Sequence, residues 1–156
     1  MRILVVCIGN ICRSPIAEGL LRHKATQHGL DWHIDSAGTE GYHVGEPPHR
    51  FSQAVCMKNG IDISGQRARK FTTRDFRDFD KIYAMETQVY NDIMALAGVV
   101  KGSELAKKVD LFLNELQPGS NSSVPDPWYG PEEGYLEVFE LIDKAANAII
   151  EKYRNL

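Results

Sequence analysis

Cys7 and Arg13 are separated by five residues near the start of the chain, in the segment C-I-G-N-I-C-R. A thiol and a guanidinium at this spacing can act together on an oxyanion, because sulfur is a nucleophile and the planar cation can hold two oxygen atoms. Gly9 and Asn10 readily adopt positive φ, so the intervening residues can curl into a ring of inward N–H groups. The pattern predicts a binding site for a tetrahedral oxyanion with a nucleophilic thiol at its base.

The segments on either side of this loop indicate how it is held. Residues 3–6 are apolar and rich in β-branched side chains, which is typical of a strand buried in a parallel sheet. Ser14 and Pro15 favour the N-cap and the first position of a helix. A loop that joins the carboxyl end of a strand to the start of a helix lies in positive potential. We therefore expect Cys7 to be a thiolate at neutral pH.

Asp126 is a second candidate for chemistry, since it lies between two prolines that restrict its backbone to an extended conformation. A positioned carboxylic acid can protonate the leaving oxygen of a phosphate ester and then activate a water molecule. Trp128 and Tyr129 follow it and could flank a flat aryl ring. Tyr42 and His43, in the glycine- and proline-rich segment 36–48, are expected to line the same opening.

The chain has 156 residues, which predicts a single domain over residues 1–156. Its alternating strand and helix patterns predict a three-layer α/β fold, with a four-stranded parallel sheet of order 2-1-3-4 and helices on both faces. After the first strand, the predicted strands are residues 32–36, 81–85 and 109–113. The predicted helices are residues 15–28 and 49–58, a third from Thr87 to near Gly98, and 133–154. The last has a predicted core-facing stripe of Leu136, Phe139, Ile142, Ala146 and Ile149 or Ile150.

Composition excludes several classes of function. A net charge of −3 without a basic tract argues against nucleic-acid binding. No apolar run approaches the roughly 20 residues of a membrane span and no signal-peptide pattern is seen, so we expect a cytoplasmic protein without a membrane partner. The three cysteines lack disulfide or zinc spacing, and the five histidines are expected to be solvated, so neither a metal nor a cofactor is expected.

The segment C-I-G-N-I-C-R-S-P at residues 7–15 resembles the phosphate-binding loop of low-molecular-weight protein tyrosine phosphatases. The resemblance includes S-A-G-T at residues 36–39, the G-x-P-P run ending at Pro48 and D-P-W-Y-G at residues 126–130. It implies metal-independent hydrolysis of a tyrosine-phosphorylated protein through a cysteinyl-phosphate intermediate, with inorganic phosphate as a product. Cys7 would be the nucleophile, Arg13 would hold the phosphate oxygens, and Asp126 would act as acid and then as base.

The resemblance also implies supporting roles. Asn10, Ser14 and Ser36 would form a hydrogen-bond network that holds the loop and stabilises the thiolate. Glu86 would orient the loop arginine, although the family more often has Asp there. Gln66 stands where the family usually has His, and it can donate the same bond to the loop asparagine. The predicted substrate-binding residues are Ile8, Gly9, Asn10, Ile11, Cys12, Ser14, Tyr42, Trp128 and Tyr129.

Other functions stay open at this point. Arginine-phosphate phosphatases of the family have Thr where this chain has Ile11, and a non-catalytic phosphate-binding module would not need Asp126. An arsenate reductase would need two further cysteines, whereas Cys56 is the only one outside the loop. Cys12 lies five residues after Cys7 and could trap a peroxide-oxidised Cys7 as a reversible disulfide.

Overall fold

The computed structural model describes residues 1–96 and 103–156. Within them the strands are β1 (Arg2–Cys7), β2 (His33–Gly38), β3 (Lys81–Ala84) and β4 (Val109–Leu111). The α-helices are α1 (Arg13–Gln27), α2 (Arg50–Met57), α3 (Asp75–Asp78), α4 (Thr87–Leu96) and α5 (Glu132–Tyr153). Short 3₁₀ helices span Ala106–Lys108 and Phe112–Glu115. None of the helices in these two ranges is long and apolar enough to cross a membrane.

The sheet has the order β2-β1-β3-β4, and all three strand pairs are parallel. This confirms the fold predicted from the sequence. β1 lies between β2 and β3, so the loops that leave its carboxyl end lie at the point where the strand order reverses, which is where open α/β sheets bind ligands. Cys7 is the last residue of β1 and pairs with Gly38, the last residue of β2.

Each face of the sheet carries its own core, because successive side chains of a strand point to opposite faces. On one face, Ile3 and Val5 of β1 belong to a buried cluster with apolar side chains of α1, α2 and α5. On the other face, Leu4 and Val6 belong to a cluster with side chains of α3 and α4. The continuous apolar run of β1 is therefore explained by burial on both sides.

Most predicted boundaries differ from the observed ones by a residue or two. β2 extends to Gly38 instead of Ser36, because Ala37 and Gly38 continue the pairing with β1. β4 stops at Leu111, and the chain turns into a 3₁₀ helix where the sequence predicted strand to residue 113. The predicted end of the third helix near Gly98 lies outside the described residues.

The prediction that Ser14 caps helix α1 is wrong. Cys12 is at the N-cap position without a side-chain cap, and the helix begins at Arg13. The Ser14 hydroxyl bonds the side chains of Cys7 and Asn10, so it is not used for capping. Pro15 is tolerated in the first turn because N–H groups there have no intrahelical acceptor.

The core-facing stripe of α5 begins at Tyr135, not at Leu136. Tyr135 is 1% exposed and its ring stacks on His49 with the centroids 5.2 Å apart, whereas Leu136 is 50% exposed. Every other residue of the predicted stripe is buried: Phe139, Ile142, Ala146, Ile149 and Ile150.

This difference gives a test of the packing. Ile142→Ala should lower the free energy of unfolding by about 2–5 kcal/mol, because it leaves a cavity at a fully buried position. Leu136→Ala should change it by less than about 0.5 kcal/mol, because the side chain is half-exposed. Denaturant unfolding of both variants measures the two losses. Similar losses in the two variants would contradict the observed orientation of α5, in which Ile142 faces the core and Leu136 is half-exposed.

Candidate active site

The loop that joins β1 to α1 turns its carbonyl groups away from its centre. These oxygens accept hydrogen bonds from the segment that follows β2 and from the start of α2. With the carbonyl oxygens bonded on the outside, the N–H groups of the loop are left to face its interior. The bonds are Thr39 N to Cys7 O at 3.0 Å, Glu40 N to Ile8 O at 2.9 Å, His49 N to Ile11 O at 2.7 Å and Ser52 Oγ to Cys12 O at 3.1 Å.

Asn10 adopts the left-handed conformation that the sequence predicted, with φ of 59°. Its backbone N–H donates to Cys7 Sγ at 3.3 Å. The sulfur therefore lies at the base of a ring with at least one amide directed at it.

Gly38 permits the close approach of β2 to this loop. A Cβ atom at position 38 would lie 2.6 Å from the carbonyl oxygen of Ile8 and 3.1 Å from the backbone nitrogen of Asn10. Both contacts are with backbone, which cannot rotate away as a side chain can. Sequence reasoning missed this role, although the S-A-G-T segment that contains Gly38 was noted.

Side chains form a hydrogen-bond network under the sulfur. Ser14 Oγ lies 3.0 Å from Cys7 Sγ, and Asn10 Nδ2 donates to Ser14 Oγ at 2.8 Å and to Ser36 Oγ at 2.9 Å. Asn10 Oδ1 accepts from the backbone N–H of Arg69 at 3.0 Å. The structure therefore brings together Asn10, Ser14 and Ser36 as the resemblance implied.

Gln66 does not make the bond that was predicted for it. Its Nε2 donates to the carbonyl oxygen of Pro15 at 3.1 Å, and its Oε1 is buried without a hydrogen-bond partner among the described residues. The acceptor expected for it, Asn10 Oδ1, is already bonded by Arg69 N–H. The amide of Gln66 thus supports the start of α1 instead of the loop asparagine.

The Arg13 guanidinium is 2% exposed and contacts three groups from two other segments. Its Nη1 donates to the carbonyl oxygen of Val124 at 2.9 Å, and its Nη2 donates to Glu86 Oε1 at 2.8 Å. Asp126 Oδ2 lies 3.5 Å from the same Nη2. Burial alone would lower the pKa of Arg13, but the negative charges of Cys7, Glu86 and Asp126 raise it above its usual value. Arg13 is therefore a permanent cation at the site.

Asp126 is held at the carboxyl edge of the sheet by its own loop. The preceding Val124 donates its N–H to Met85 O at 2.7 Å, directly after β3. Asp126 Oδ1 accepts from the N–H of Trp128 at 3.1 Å, and the side chain is 38% exposed. The carboxyl group thus has a fixed orientation, reaches solvent and faces Arg13.

A cleft of about 270 Å³ opens above Cys7. The predicted aromatic residues all line it, and Tyr42 and Tyr129 are largely exposed, at 80% and 94%. The lining residues are Cys7, Ile8, Gly9, Ile11, Cys12, Arg13, Tyr42, His43, Asp126, Trp128 and Tyr129.

His43 and His49 fix the position of Trp128. Sequence reasoning placed His43 at the opening of the site, together with Tyr42, but missed His49. Their ring centroids lie 5.6 Å and 5.4 Å from that of Trp128, so the indole is held between them. His43 also contacts Glu46 through Nδ1 at 2.6 Å. Burial and the nearby Arg50 lower the pKa of His49, which favours its neutral form. The expectation of a solvated histidine is therefore wrong for these two residues.

Cys12 is 5% exposed. Its Sγ is 3.5 Å from the hydroxyl of Tyr135, and burial raises the pKa of Cys12 to about 12. It is therefore a neutral thiol at physiological pH. All three cysteines are free thiols in this structure, so the proposed disulfide with Cys7 stays a prediction.

The described ranges, 1–96 and 103–156, contain no group of three or more His, Cys, Asp or Glu side chains placed to hold a metal ion. The cation and the carboxyl group that line the cleft are those of Arg13 and Asp126.

A thiol at the end of the central strand, opposite an aspartate and beside a buried arginine, is the arrangement of a cysteine-dependent phosphatase. A sequence model described as low molecular weight phosphotyrosine protein phosphatase matches residues 2–155. The chain belongs to this family.

The sequence and the structure of this chain are also similar to those of individual proteins. The low molecular weight phosphotyrosine protein phosphatase of Schizosaccharomyces pombe is 38% identical over 151 residues, covering 94% of this chain and 94% of that protein. A protein tyrosine phosphatase from Entamoeba histolytica has a crystal structure that superposes with a TM-score of 0.90 at 30% identity, covering 99% of this chain and 97% of the other. A Drosophila arginine phosphatase superposes with a TM-score of 0.89 at 28% identity, covering 99% and 98%.

The role of Gly38 can be tested by adding one carbon atom. Gly38→Ala should displace the loop, lower kcat/KM for p-nitrophenyl phosphate by at least about tenfold and destabilise the fold by about 1–3 kcal/mol. Gly65→Ala is the matched control, because a Cβ at position 65 would meet no atom within 4 Å. Wild-type kinetics in Gly38→Ala would show that the close approach is not needed.

Proposed function

We propose that this chain hydrolyses phosphotyrosine in proteins through a phosphorylated Cys7, without a metal ion, and releases inorganic phosphate. The observation that carries the proposal is the position of Cys7 Sγ at the base of the loop, 3.3 Å from Asn10 N and 3.0 Å from Ser14 Oγ. Family membership supports the same reaction class.

In the first step, the Cys7 thiolate attacks phosphorus, so that an S–P bond forms and the bond to the phenolic oxygen breaks. The loop amides and Arg13 hold the equatorial oxygens and stabilise their charge, a task that magnesium performs in kinases. Asp126 gives its proton to the leaving oxygen. Its turn with Trp128 and its contact with Arg13 hold it on the side of the cleft where this oxygen would lie.

In the second step, water attacks the phosphorylated cysteine. Asp126, now ionised, takes a proton from the water, the S–P bond breaks and Cys7 leaves as a thiolate. Ser14 supports both steps, because its hydroxyl can donate to the sulfur when the sulfur carries charge. Glu86 keeps the guanidinium of Arg13 in place, and the 2.8 Å contact supports this role although the family more often has Asp there.

The length of the phosphorylated side chain favours an aryl substrate. Tyr42, Trp128 and Tyr129 surround the entrance of the cleft, so a phosphorus atom at the end of a rigid ring can reach Cys7 more easily than one held by a single methylene. Aromatic contacts add about 0.5–1.5 kcal/mol beyond the buried area. The expected partner is therefore a tyrosine-phosphorylated protein.

The proposal also includes the domain organisation and the cellular compartment of the protein. The two cores share one sheet, which supports a single domain over residues 1–156. The free thiols of Cys7, Cys12 and Cys56 suit a reducing compartment, and we propose the cytoplasm.

The role of Asp126 as an acid predicts a dependence on the leaving group. Asp126→Asn should lower kcat/KM for phenyl phosphate by about 10²–10⁴-fold, since this leaving group needs a proton. For dinitrophenyl phosphate, whose dinitrophenolate leaves readily as an anion without a proton, the loss in kcat/KM should be much smaller. Steady-state kinetics with both esters measure the two losses, and equal losses would argue against the acid role.

Two variants serve as controls for this experiment. Glu133→Gln removes an exposed carboxylate at the start of α5 and should leave both rates unchanged. Cys7→Ser should abolish turnover of both esters while phosphate still binds to the loop and Arg13. A wild-type protein that binds phosphate but hydrolyses neither ester would instead be a non-catalytic binding module.

Phosphoarginine is the second candidate substrate, because a Drosophila arginine phosphatase has nearly the same fold. Ile11 lines the cleft and is 8% exposed. Its branched apolar side chain should crowd the bulky, charged phosphoguanidinium and tolerate an aryl ester. The hydroxyl of a threonine, found here in the arginine-phosphate relatives, could instead bond that group.

A paired substitution at Ile11 separates the two substrates. The wild-type protein should prefer phosphotyrosine over phosphoserine and phosphoarginine peptides by at least about tenfold in kcat/KM at one pH. Ile11→Thr should raise kcat/KM for phosphoarginine, whereas Ile11→Val, which has the same shape without the hydroxyl, should not. Comparable wild-type values for phosphoarginine and phosphotyrosine would overturn the substrate assignment.

A further inference from the structure

Glu18 is a buried carboxyl group with no part in the two chemical steps above. It lies in α1 and is 3% exposed. Its Oε1 accepts a hydrogen bond from Ser36 Oγ at 2.8 Å, and its Oε2 is 3.3 Å from Arg22 Nη2. Burial raises the pKa of Glu18, although Ser36 and Arg22 act in the opposite direction. A charged group in this place costs folding free energy, so packing alone does not explain it.

Ser36 connects Glu18 to the active-site loop. A serine hydroxyl has one hydrogen, and Ser36 donates it to Glu18. The 2.9 Å contact between Ser36 Oγ and Asn10 must therefore have Asn10 Nδ2 as its donor. The backbone N–H of Arg69 bonds Asn10 Oδ1 at 3.0 Å and requires the same orientation of the amide.

Ser14 connects Asn10 to the nucleophile. The second hydrogen of Asn10 Nδ2 goes to Ser14 Oγ at 2.8 Å, which leaves the Ser14 hydrogen available for Cys7 Sγ at 3.0 Å. A carboxylate and a thiolate can only accept hydrogen bonds. The hydrogen bonds therefore run outward from Asn10, through Ser36 to Glu18 and through Ser14 to Cys7.

We propose that Glu18 is a positioning residue: by accepting the Ser36 hydroxyl, it holds the Asn10 amide where Ser14 donates to the Cys7 thiolate. Without an acceptor at position 18, the buried Ser36 hydroxyl would turn to another partner and withdraw its oxygen from Asn10. The inference rests on the proposed function in one respect, which is that Cys7 must react as a thiolate.

The sign of the effect distinguishes this role from a simple effect of charge. A carboxylate near a thiolate repels it, so removing the charge of Glu18 would by itself make Cys7 ionise at lower pH. Loss of the Ser14 hydrogen bond has the opposite effect, because the thiolate loses a donor. The positioning role therefore requires ionisation to move to higher pH.

The test measures the rate of Cys7 alkylation by iodoacetamide as a function of pH in the full chain. Cys12 and Cys56 do not interfere, because burial raises the pKa of each to about 12. Glu18→Met, which has similar volume but no oxygen acceptor, should move the midpoint of the alkylation curve up by about half to one pH unit, the size expected of one hydrogen bond. It should also lower kcat by about threefold to tenfold with little change in KM.

Ser36→Ala should move the midpoint in the same direction, and the double variant should move it no further than the larger single shift. If Glu18→Met does not fold, Glu18→Leu replaces it, with the same upward shift expected because leucine also lacks an oxygen acceptor. Glu115→Gln is the matched control: Glu115 is also a buried carboxylate that accepts a hydroxyl, from Tyr83 at 2.9 Å, but it lies outside this network. It should leave the midpoint unchanged.

An unchanged or lower midpoint in the folded Glu18 variant, or shifts that add in the double variant, would overturn the proposal. Alkylation needs no phosphatase turnover. A protein with the expected shifts but without turnover would therefore refute the proposed function and leave the role of Glu18 supported.

Discussion

The buried cation of Arg13 is the feature on which the arrangement of the active site depends. A charge removed from water is tolerated only where opposite charges and hydrogen-bond acceptors replace the water. Glu86, the carbonyl group of Val124 and Asp126 supply them, at 2.8, 2.9 and 3.5 Å from the guanidinium nitrogens. These partners come from the end of β3 and from the loop before α5. The need to balance the buried charge of Arg13 therefore holds both segments at the carboxyl edge of the sheet.

The binding surface for the phosphate depends equally on the outer side of the loop. A peptide group that bonds its carbonyl oxygen outward must direct its N–H elsewhere, and here the outward bonds are made by Thr39, Glu40 and His49. The segment between β2 and α2 thus orients the loop amides from outside, in addition to lining the cleft with Tyr42 and His43. Gly38 is the condition for this arrangement, since any larger residue would hold β2 away from the loop.

The reactive groups were predictable because the information is local. Cys7, Arg13 and the glycine and asparagine between them lie within a few residues, and the flanking apolar run and Pro15 locate them between a strand and a helix. The parallel pairing of the strands was predictable for the same reason, since the strand patterns are short, apolar and separated by helices. The role proposed for Asp126 rests on its two flanking prolines and on its position in the cleft beside Arg13.

The contacts that were missed join distant parts of the chain. Asn10 bonds the backbone N–H of Arg69, which is 59 residues away, and no local pattern specifies this pairing. Its bond to Ser36, 26 residues away, was expected only because of the resemblance to the family. Ser14 has the intrinsic preference of a helix cap, but its hydroxyl contacts the sulfur of Cys7 instead of the helix backbone.

The same limit applies to α5. A 3.6-residue period cannot distinguish Tyr135 from its neighbour Leu136 as the start of the core stripe, because Phe139 follows them by four and three residues and both spacings fit an apolar face. The choice is made by His49 and Phe51, whose rings lie 5.2 and 5.4 Å from that of Tyr135.

In the proposed mechanism, two carboxyl groups act on one sulfur by different physical routes, one partly buried and one fully buried. Glu86 acts through the charge and the orientation of Arg13, a route that depends on distance and on the local dielectric. Glu18 acts through the direction of hydrogen bonds in Ser36, Asn10 and Ser14, a route that depends on which atoms have hydrogens to donate. The first route stabilises negative charge on sulfur and on phosphate alike. The second reaches only the sulfur, so it can adjust the nucleophile without changing how tightly the phosphate is held.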